Sequence, residues 1–265
     1  MTPADGGPQP EVMPPGRPTA MNNATGKRLL ALVRDADYAH PGEEDANELL
    51  FAGVRPDPRR RVLDAGCGAA GTAAWVQARG YGAVTGIEID AATAALGRER
   101  HPEVTIAQGD LQRAGESLAG PFDLIYSMTA IYAAPDHAAV FRQLGALAAP
   151  GAELRLLEYA DPHGRFAVAN DGDPSRGWWR PLRPRELPDL LAAAGWSHVE
   201  VRDLQPEFVL WYRELCDRIA AKRLDITEEF GRDWYDFVAH EYAGILEMVR
   251  AGVLGGVLVR ARAAR

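Results

Sequence analysis

Two cysteines, Cys67 and Cys216, are all that the 265 residues hold, and neither their number nor their spacing suggests a disulfide framework or a zinc site. Such scarcity points to a reducing compartment. Long apolar runs are missing as well. None approaches the roughly 18 residues of a membrane span, and the start of the chain lacks the charged and apolar regions of a secretory signal. The expectation is a cytoplasmic protein without a membrane partner. Positive charge is not in excess either: 29 Lys and Arg stand against 37 Asp and Glu, a net charge of −8. No global basic field therefore draws the chain to nucleic acid. No cluster of His, Cys, Asp and Glu has ligand spacing, so no metal is expected.

What the chain does have is a glycine turn. In Arg61-Val62-Leu63-Asp64-Ala65-Gly66-Cys67-Gly68-Ala69-Ala70-Gly71-Thr72, Val62 and Leu63 read as the end of a buried parallel strand. Gly66, Gly68 and Gly71 follow at the Gly-x-Gly-x-x-Gly spacing, and Thr72 opens a helix. A Cβ at the first glycines would collide with a closely approaching ligand. Alone the pattern is weak in a chain with 27 glycines. Asp64 sharpens it, because a carboxylate two positions before Gly66 repels a pyrophosphate but accepts hydrogen bonds from an ammonium group. Val84-Thr85-Gly86-Ile87-Glu88 is a second short strand. It ends in an acid about 20 residues after the turn, where a ribose diol is held. An aminoacyl nucleoside without phosphates satisfies both positions, whereas Asp64 and Asp110 argue against a nicotinamide dinucleotide.

At this point the chain resembles the class I S-adenosylmethionine-dependent methyltransferases. The resemblance rests on Val62 to Gly68, Gly86-Ile87-Glu88-Ile89-Asp90, Gln108-Gly109-Asp110-Leu111 and Phe122 to Ser127, with Ala149-Pro150-Gly151-Ala152-Glu153-Leu154 behind them. These motifs stand in that family's order over roughly residues 60 to 160. The resemblance implies S-adenosyl-L-methionine as cofactor, with its methionine part held by Asp64 and the backbone of Gly66, Cys67 and Gly68. It further implies that Glu88 takes the ribose hydroxyls, Asp110 bonds the adenine amino group, and Ile89 and Leu111 sandwich the ring. Gly71, Thr72 and Ser127 complete the cofactor-side set. The Asn/Asp-Pro-Pro-aromatic run that such enzymes carry after the fourth strand when they act on base amines is absent from Ser127-Met128-Thr129-Ala130-Ile131-Tyr132. An exocyclic base amine is therefore not the expected acceptor.

Strands alternate with helices along the chain, which predicts an α/β fold: a Rossmann-like, seven-stranded sheet with helices on both faces and ligands at the carboxyl ends of the strands. The resemblance adds a last strand antiparallel to the rest. Residues 1 to 20, rich in Pro and Gly, are expected to be a disordered tail, and 21 to 265 a single methyltransferase domain. Within it, 21 to 58 form two cap helices, 59 to 204 the cofactor-binding core, 205 to 252 a helical lid and 253 to 265 the last strand. The lid is expected to be two amphipathic helices on the sheet's open edge, one carrying Phe208, Trp211 and Tyr212, the other Trp234, Val238 and Tyr242.

Candidates for the acceptor side leave alternatives open. Tyr38 and His40 lie in a loop between the cap helices, either lining the site or forming a helix-capping turn. Tyr132 either walls the transfer site or packs in the core. Trp178 and Trp179 either close over an acceptor or anchor their loop. Trp211 and Tyr242 join them as candidate substrate contacts. Glu241 falls within the apolar stripe of its helix, so it either forms a buried salt bridge or serves as a base. With His40, Tyr132 and Glu241 as catalytic candidates, the expected function is in-line methyl transfer to a small-molecule acceptor, nitrogen or carbon before oxygen. The alternative is a methyltransferase-fold protein that binds without turnover.

Overall fold

The computed structural model describes residues 21–169 and 177–264, so the expected N-terminal tail lies outside the described residues. Among them, seven strands form one sheet: β1 (Arg61–Ala65), β2 (Ala83–Glu88), β3 (Thr105–Gln108), β4 (Phe122–Met128), β5 (Ala148–Ala160), β6 (Trp196–Asp203) and β7 (Gly255–Ala263), in the order β3-β2-β1-β4-β5-β7-β6. The first five pair in parallel, and β7 runs antiparallel to both β5 and β6. Strand order reverses between β1 and β4. That reversal opens a crevice above their carboxyl ends, and Asp64 stands there in register with Gly86 and Tyr126.

Val62 to Ala65 are all buried, as a central parallel strand covered on both faces requires. One face carries α1 (Ala24–Arg34), α2 (Glu43–Phe51), α3 (Gly71–Ala78) and α4 (Ala91–Arg100), whose Leu29, Leu50, Val76 and Ala94 join one apolar cluster. The other carries α5 (His137–Leu147), followed in the chain by the short α6 (Phe166–Ala169) and then α7 (Leu187–Ala193), with Phe141, Leu144 and Leu191 in a second cluster. Side-chain caps fix three helix starts: Asn23, Asp90 and Asp136 accept from Gly26, Thr93 and Ala139 at 2.9, 2.7 and 2.9 Å. Each is worth about 1 kcal/mol.

The segment between β6 and β7 departs from expectation in two ways. It forms three helices rather than two, α8 (Gln205–Ala221), α9 (Arg223–Phe230) and α10 (Arg232–Arg250). The short middle one buries only Ile226 and Phe230, too few positions to show a stripe. Nor do these helices sit on the sheet's edge. A Cβ built on Gly256 of the interior strand β7 would stand 2.1 Å from the Phe208 ring, so α8 lies flush on the sheet's face, and α10 packs on α8 through Tyr212 and Tyr242. No helix among the described residues is long and apolar enough to cross a membrane.

Candidate active site

The glycine turn is shaped by close contacts. The backbone N–H groups of Gly66 and Cys67 both donate to the Ile87 carbonyl at 3.0 Å. Gly66 has φ +89, and a Cβ there would lie 2.3 Å from that of Ala130. At Gly68, φ is +55 and the N–H donates to Glu88 Oε2 at 3.0 Å, while Glu88 Oε1 accepts from Asp90 at 2.9 Å. These bonds aim the Glu88 carboxylate across the turn. Gly71 serves a different purpose: its Cβ would meet the Asp37 carbonyl at 2.4 Å, so the loop between α1 and α2 rests on the start of α3. Asp37 pins that loop from beyond by pairing with Arg100 and with His101, the latter at 3.0 Å.

Asp64 is buried, and its Oδ2 accepts a 2.8 Å bond from the Tyr126 hydroxyl. Burial pushes its carboxyl up to about 7, against the lowering effect of that bond, and the Glu88 charge adds to the rise. A single phenol donor does not replace the lost water. The position is thus set to gain from an incoming cation. Around the rim, Ile89 is 65% exposed yet lines the same cavity as Leu111 and Asp110. An apolar side chain held out between strand ends suits one face of a planar ring. Asp110 Oδ1 accepts from the Gln112 N–H at 2.9 Å, which fixes the carboxylate while leaving lone pairs for a further donor.

From this corner one cavity of about 370 Å³ runs on between α10 and the loop after β4, within the roughly 300–1,000 Å³ usual for ligand pockets. Its far part is aromatic. Tyr132 packs against Tyr159, Trp179 and Trp178 with centroids 4.7, 4.9 and 5.8 Å apart, and Phe237, Glu241 and Tyr242 of α10 close the opposite side. Burial holds the Tyr132 hydroxyl well above its ordinary value and pushes that of Tyr242 up to about 12. Both keep their protons at neutral pH.

His40 also lines the cavity, with both ring nitrogens engaged: Nδ1 meets the Pro41 carbonyl at 3.2 Å and Nε2 the Thr72 hydroxyl at 2.9 Å. A carbonyl only accepts, so Nδ1 carries the hydrogen and Nε2 accepts from Thr72. Burial, with the Arg34 charge behind it, pulls the imidazole down to about 3. The ring is neutral at physiological pH, and its lone pair is committed.

Three sequence-predicted residues stand elsewhere. Tyr38 is turned against the apolar cluster beneath the cap helices and Trp211 is buried there, its ring over Gly42, where a Cβ would come within 2.5 Å. Neither lines the cavity: Tyr38 packs inward from the loop between α1 and α2, and Trp211 of α8 covers Gly42 at the end of that loop. Ser127 is fully buried, its hydroxyl 2.8 Å from the Ala65 carbonyl and 2.7 Å from Glu158 Oε1. It braces β1 against β5 rather than facing a ligand. Glu158 in turn accepts from the N–H groups of Ala130 and Ile131 at 3.1 and 3.0 Å, and burial pushes it up to about 7. The turn that Ala130 and Ile131 belong to starts at Thr129, whose φ is +50, a strained region for a β-branched residue.

Several wall residues escape any sequence pattern. Lys27 of α1 lines the cavity beside Gly68, whose Cβ would lie 3.8 Å from its Cε. Burial lowers its pKa against the raising effect of Glu88. A lysine on a surface helix reads as solvated, and only the packing of α1 over the glycine turn gives it this place.

Residues 39–201 match the family model for a methyltransferase domain. The chain is 24% identical over 244 residues to phosphoethanolamine N-methyltransferase 1 of Zea mays, a match covering 86% of this chain and 46% of that one. This chain thus spans about half the length of that relative. Identity to trans-aconitate 2-methyltransferase of Azoarcus sp. (strain BH72) is 28% over 183 residues, 65% of this chain and 68% of the other. Among solved structures, phosphoethanolamine N-methyltransferase 2 of Haemonchus contortus, in complex with phosphomonomethylethanolamine and S-adenosylhomocysteine, superimposes with a TM-score of 0.83 at 20% identity. That match covers 91% of this chain and 57% of that one. Geranyl diphosphate C-methyltransferase of Streptomyces coelicolor A3(2) gives 0.66 at 17% identity, covering 84% and 76%. The structural matches carry the fold alone. Matched across well over half its length by the family model, and built on that family's sheet and glycine turn, the chain belongs to the class I S-adenosylmethionine-dependent methyltransferases.

Proposed function

We propose that the protein transfers a methyl group from S-adenosyl-L-methionine to a small-molecule acceptor, nitrogen or carbon before oxygen. The observation that carries this reading is the continuity of the cavity, from the acids Asp64, Glu88 and Asp110 at one end to Tyr132, Trp179 and Tyr242 at the other. The residues present fit the donor. Asp64, buried with one neutral partner, gains an ammonium; Glu88 and Asp110 keep free lone pairs for hydroxyl and amino donors; and Ile89, exposed on the wall, gains a ring face.

When bound, the donor supplies a methyl on a sulfonium, which an in-line lone pair displaces so that the carbon–sulfur bond breaks and a neutral thioether leaves. The chain's part is to hold and to dry. Asp64 and the Gly66 to Gly68 backbone orient the amino-acid end, Glu88 the ribose, and Asp110, Ile89 and Leu111 the base. Tyr132, Trp178, Trp179 and Tyr242 enclose the acceptor and exclude water. His40 fixes the wall through Thr72, and Glu241 puts a carboxylate on the wall of the acceptor side. An oxygen acceptor would need a base to take its proton, and the His40 lone pair is committed to Thr72. An amine that arrives neutral brings its own lone pair and needs no base before transfer. The free thiols Cys67 and Cys216 suit a reducing cytoplasm, and the net charge of −8 suits small molecules before nucleic acid or membrane.

Incubation of the protein with small-molecule extracts and a deuterated methyl donor, followed by mass spectrometry, tests the reading. A labelled product mass-shifted by one deuterated methyl, with equimolar S-adenosylhomocysteine, is expected. Donor binding with no acceptor-dependent turnover in any extract would leave a binding protein instead.

A further inference from the structure

S-adenosyl-L-methionine ends in a zwitterion, an ammonium and a carboxylate on the same carbon, and the acids of the donor end answer only the ammonium. We propose that Lys27 of α1 holds the donor's carboxylate, a role that rests on the methyl-transfer reading and makes the site selective for an intact amino-acid end. Among the described residues that line the cavity, Lys27 is the one with a Lys or Arg side chain. It reaches over the glycine turn: a Cβ built on Gly68 would lie 3.8 Å from its Cε. Asp64, Gly66 and Gly68 line the same cavity.

The start of α1 is fixed in place by its surroundings. Asn23 accepts from the Gly26 N–H at 2.9 Å, and a Cβ on Gly26 would stand 2.2 Å from the Met21 carbonyl, so the chain entering α1 folds back against its first turn. Lys27 and Leu30 lie on one face of that helix, and both line the cavity. Two nearby acids, Glu88 and Asp90, act on the Lys27 charge, yet both are committed to backbone. Glu88 accepts from the Gly68 N–H through one oxygen and from the Asp90 N–H through the other, and Asp90 Oδ2 caps α4 by accepting from Thr93 at 2.7 Å. Among the described residues no hydrogen bond or ion pair holds the Lys27 ammonium. Burial, with the Arg34 charge adding to it, lowers its pKa against the raising effect of Glu88 and Asp90. An ammonium so placed gains from an anion at hydrogen-bond distance, since charge-assisted bonds are roughly twice as strong as neutral ones. Asp64, buried with one phenol partner, gains from a cation. An amino-acid end supplies both groups at once.

Calorimetric titration of S-adenosylhomocysteine and of its decarboxylated analogue, which keeps the nucleoside, the thioether and the ammonium, tests this without turnover. The full chain is expected to bind S-adenosylhomocysteine about 10-fold more tightly than the analogue, the size of one hydrogen bond between charged groups. Lys27→Met should remove that preference by weakening S-adenosylhomocysteine alone, and unchanged binding of the analogue shows that the site of the variant is folded. Lys27→Arg keeps the charge and should keep S-adenosylhomocysteine the tighter ligand. Equal affinities of the two ligands for the full chain, or a preference that survives in Lys27→Met, would overturn the proposal. So would equal weakening of both ligands in that variant, the outcome expected if Lys27 only offsets the Glu88 charge. Failure of both ligands to bind the full chain overturns the methyl-transfer reading itself and this assignment with it, whereas binding of both without preference overturns the role of Lys27 alone.

Discussion

Asp64 joins fold and ligand through one proton. Its carboxyl sits at about 7 in the folded chain, against 3.8 in the unfolded one, because burial outweighs the Tyr126 bond. Between those values the folded state holds a proton that the unfolded state has released. Stability from this group is therefore complete below about pH 4 and is lost as pH rises through 7, by an amount on the order of 4 kcal/mol. Glu158, also raised to about 7, acts in the same direction. A bound ammonium reverses the sign at Asp64 by favouring the charged form. Calorimetric titration of S-adenosylhomocysteine at pH 6, in two buffers of different ionisation enthalpy, should show nearly one proton released per ligand, and Asp64→Asn should abolish the difference. Equal heats in the two buffers would refute the assignment. At Glu158 the relevant contrast is Ala against Gln. Ala leaves the Ala130 and Ile131 N–H groups without their acceptor, while Ser127 keeps the Ala65 carbonyl, and should cost about 3 kcal/mol in chemical denaturation. Gln retains an oxygen for them and should cost less than half of that. Comparable losses in the two variants would show that the charge matters more than the bonds.

At the scale of elements, the loop between α1 and α2 is what turns an open crevice into a cavity. It is held from two sides, by the close approach of the Asp37 backbone to Gly71 and by Asp37 pairing with Arg100 and His101. Gly71→Ala would force the loop off the start of α3. Donor affinity should fall about 10-fold or more for a displacement costing some 1–3 kcal/mol, while the β-sheet signal in circular dichroism is unchanged; unaltered affinity would show that the loop is not part of the donor site. This contact also shows where sequence pattern stops. The third glycine is legible as a motif position, since turn residues and caps act over neighbouring residues. Asp64, Glu88 and Asp110 stand out for the same reason, each at or just after the carboxyl end of a short strand. The seat of the loop on Gly71, the buried place of Lys27 and the third helix of the lid are set by contacts distant in sequence. So is the fate of Trp211. Its helical spacing marks an apolar face truthfully, but which surface that face covers depends on the small residue opposite it, Gly256 of the sheet for Phe208 and Gly42 of the cap loop for Trp211 itself.

Across the whole molecule, the two ends of the cavity that the proposed function assigns to donor and acceptor are walled by different parts of the chain. The donor end lies between the β1 to β3 strand ends and the cap formed by α1 and its loop. The acceptor end lies between the turn after β4, the segment carrying Trp178 and Trp179, and α10. Because α1 also packs on α8 and α9, with Lys222 of the lid reaching the Leu32 carbonyl at 2.7 Å and pairing with Asp35, the two walls are mechanically joined through the lid. That joint is one bond and one ion pair on the outer side of α1, so ligand binding should still be read out in order by hydrogen exchange. S-adenosylhomocysteine alone is expected to protect the Gly66 to Gly71 turn, α1 and the loop of residues 35–42. At 100 times its dissociation constant it should add about 2.7 kcal/mol of stability. Protection of α10 around Glu241 and Tyr242 should wait for an acceptor-side ligand. If donor alone protected α10 as strongly as α1, the lid would belong to the donor site, and the separation of the cavity into two ends would fail.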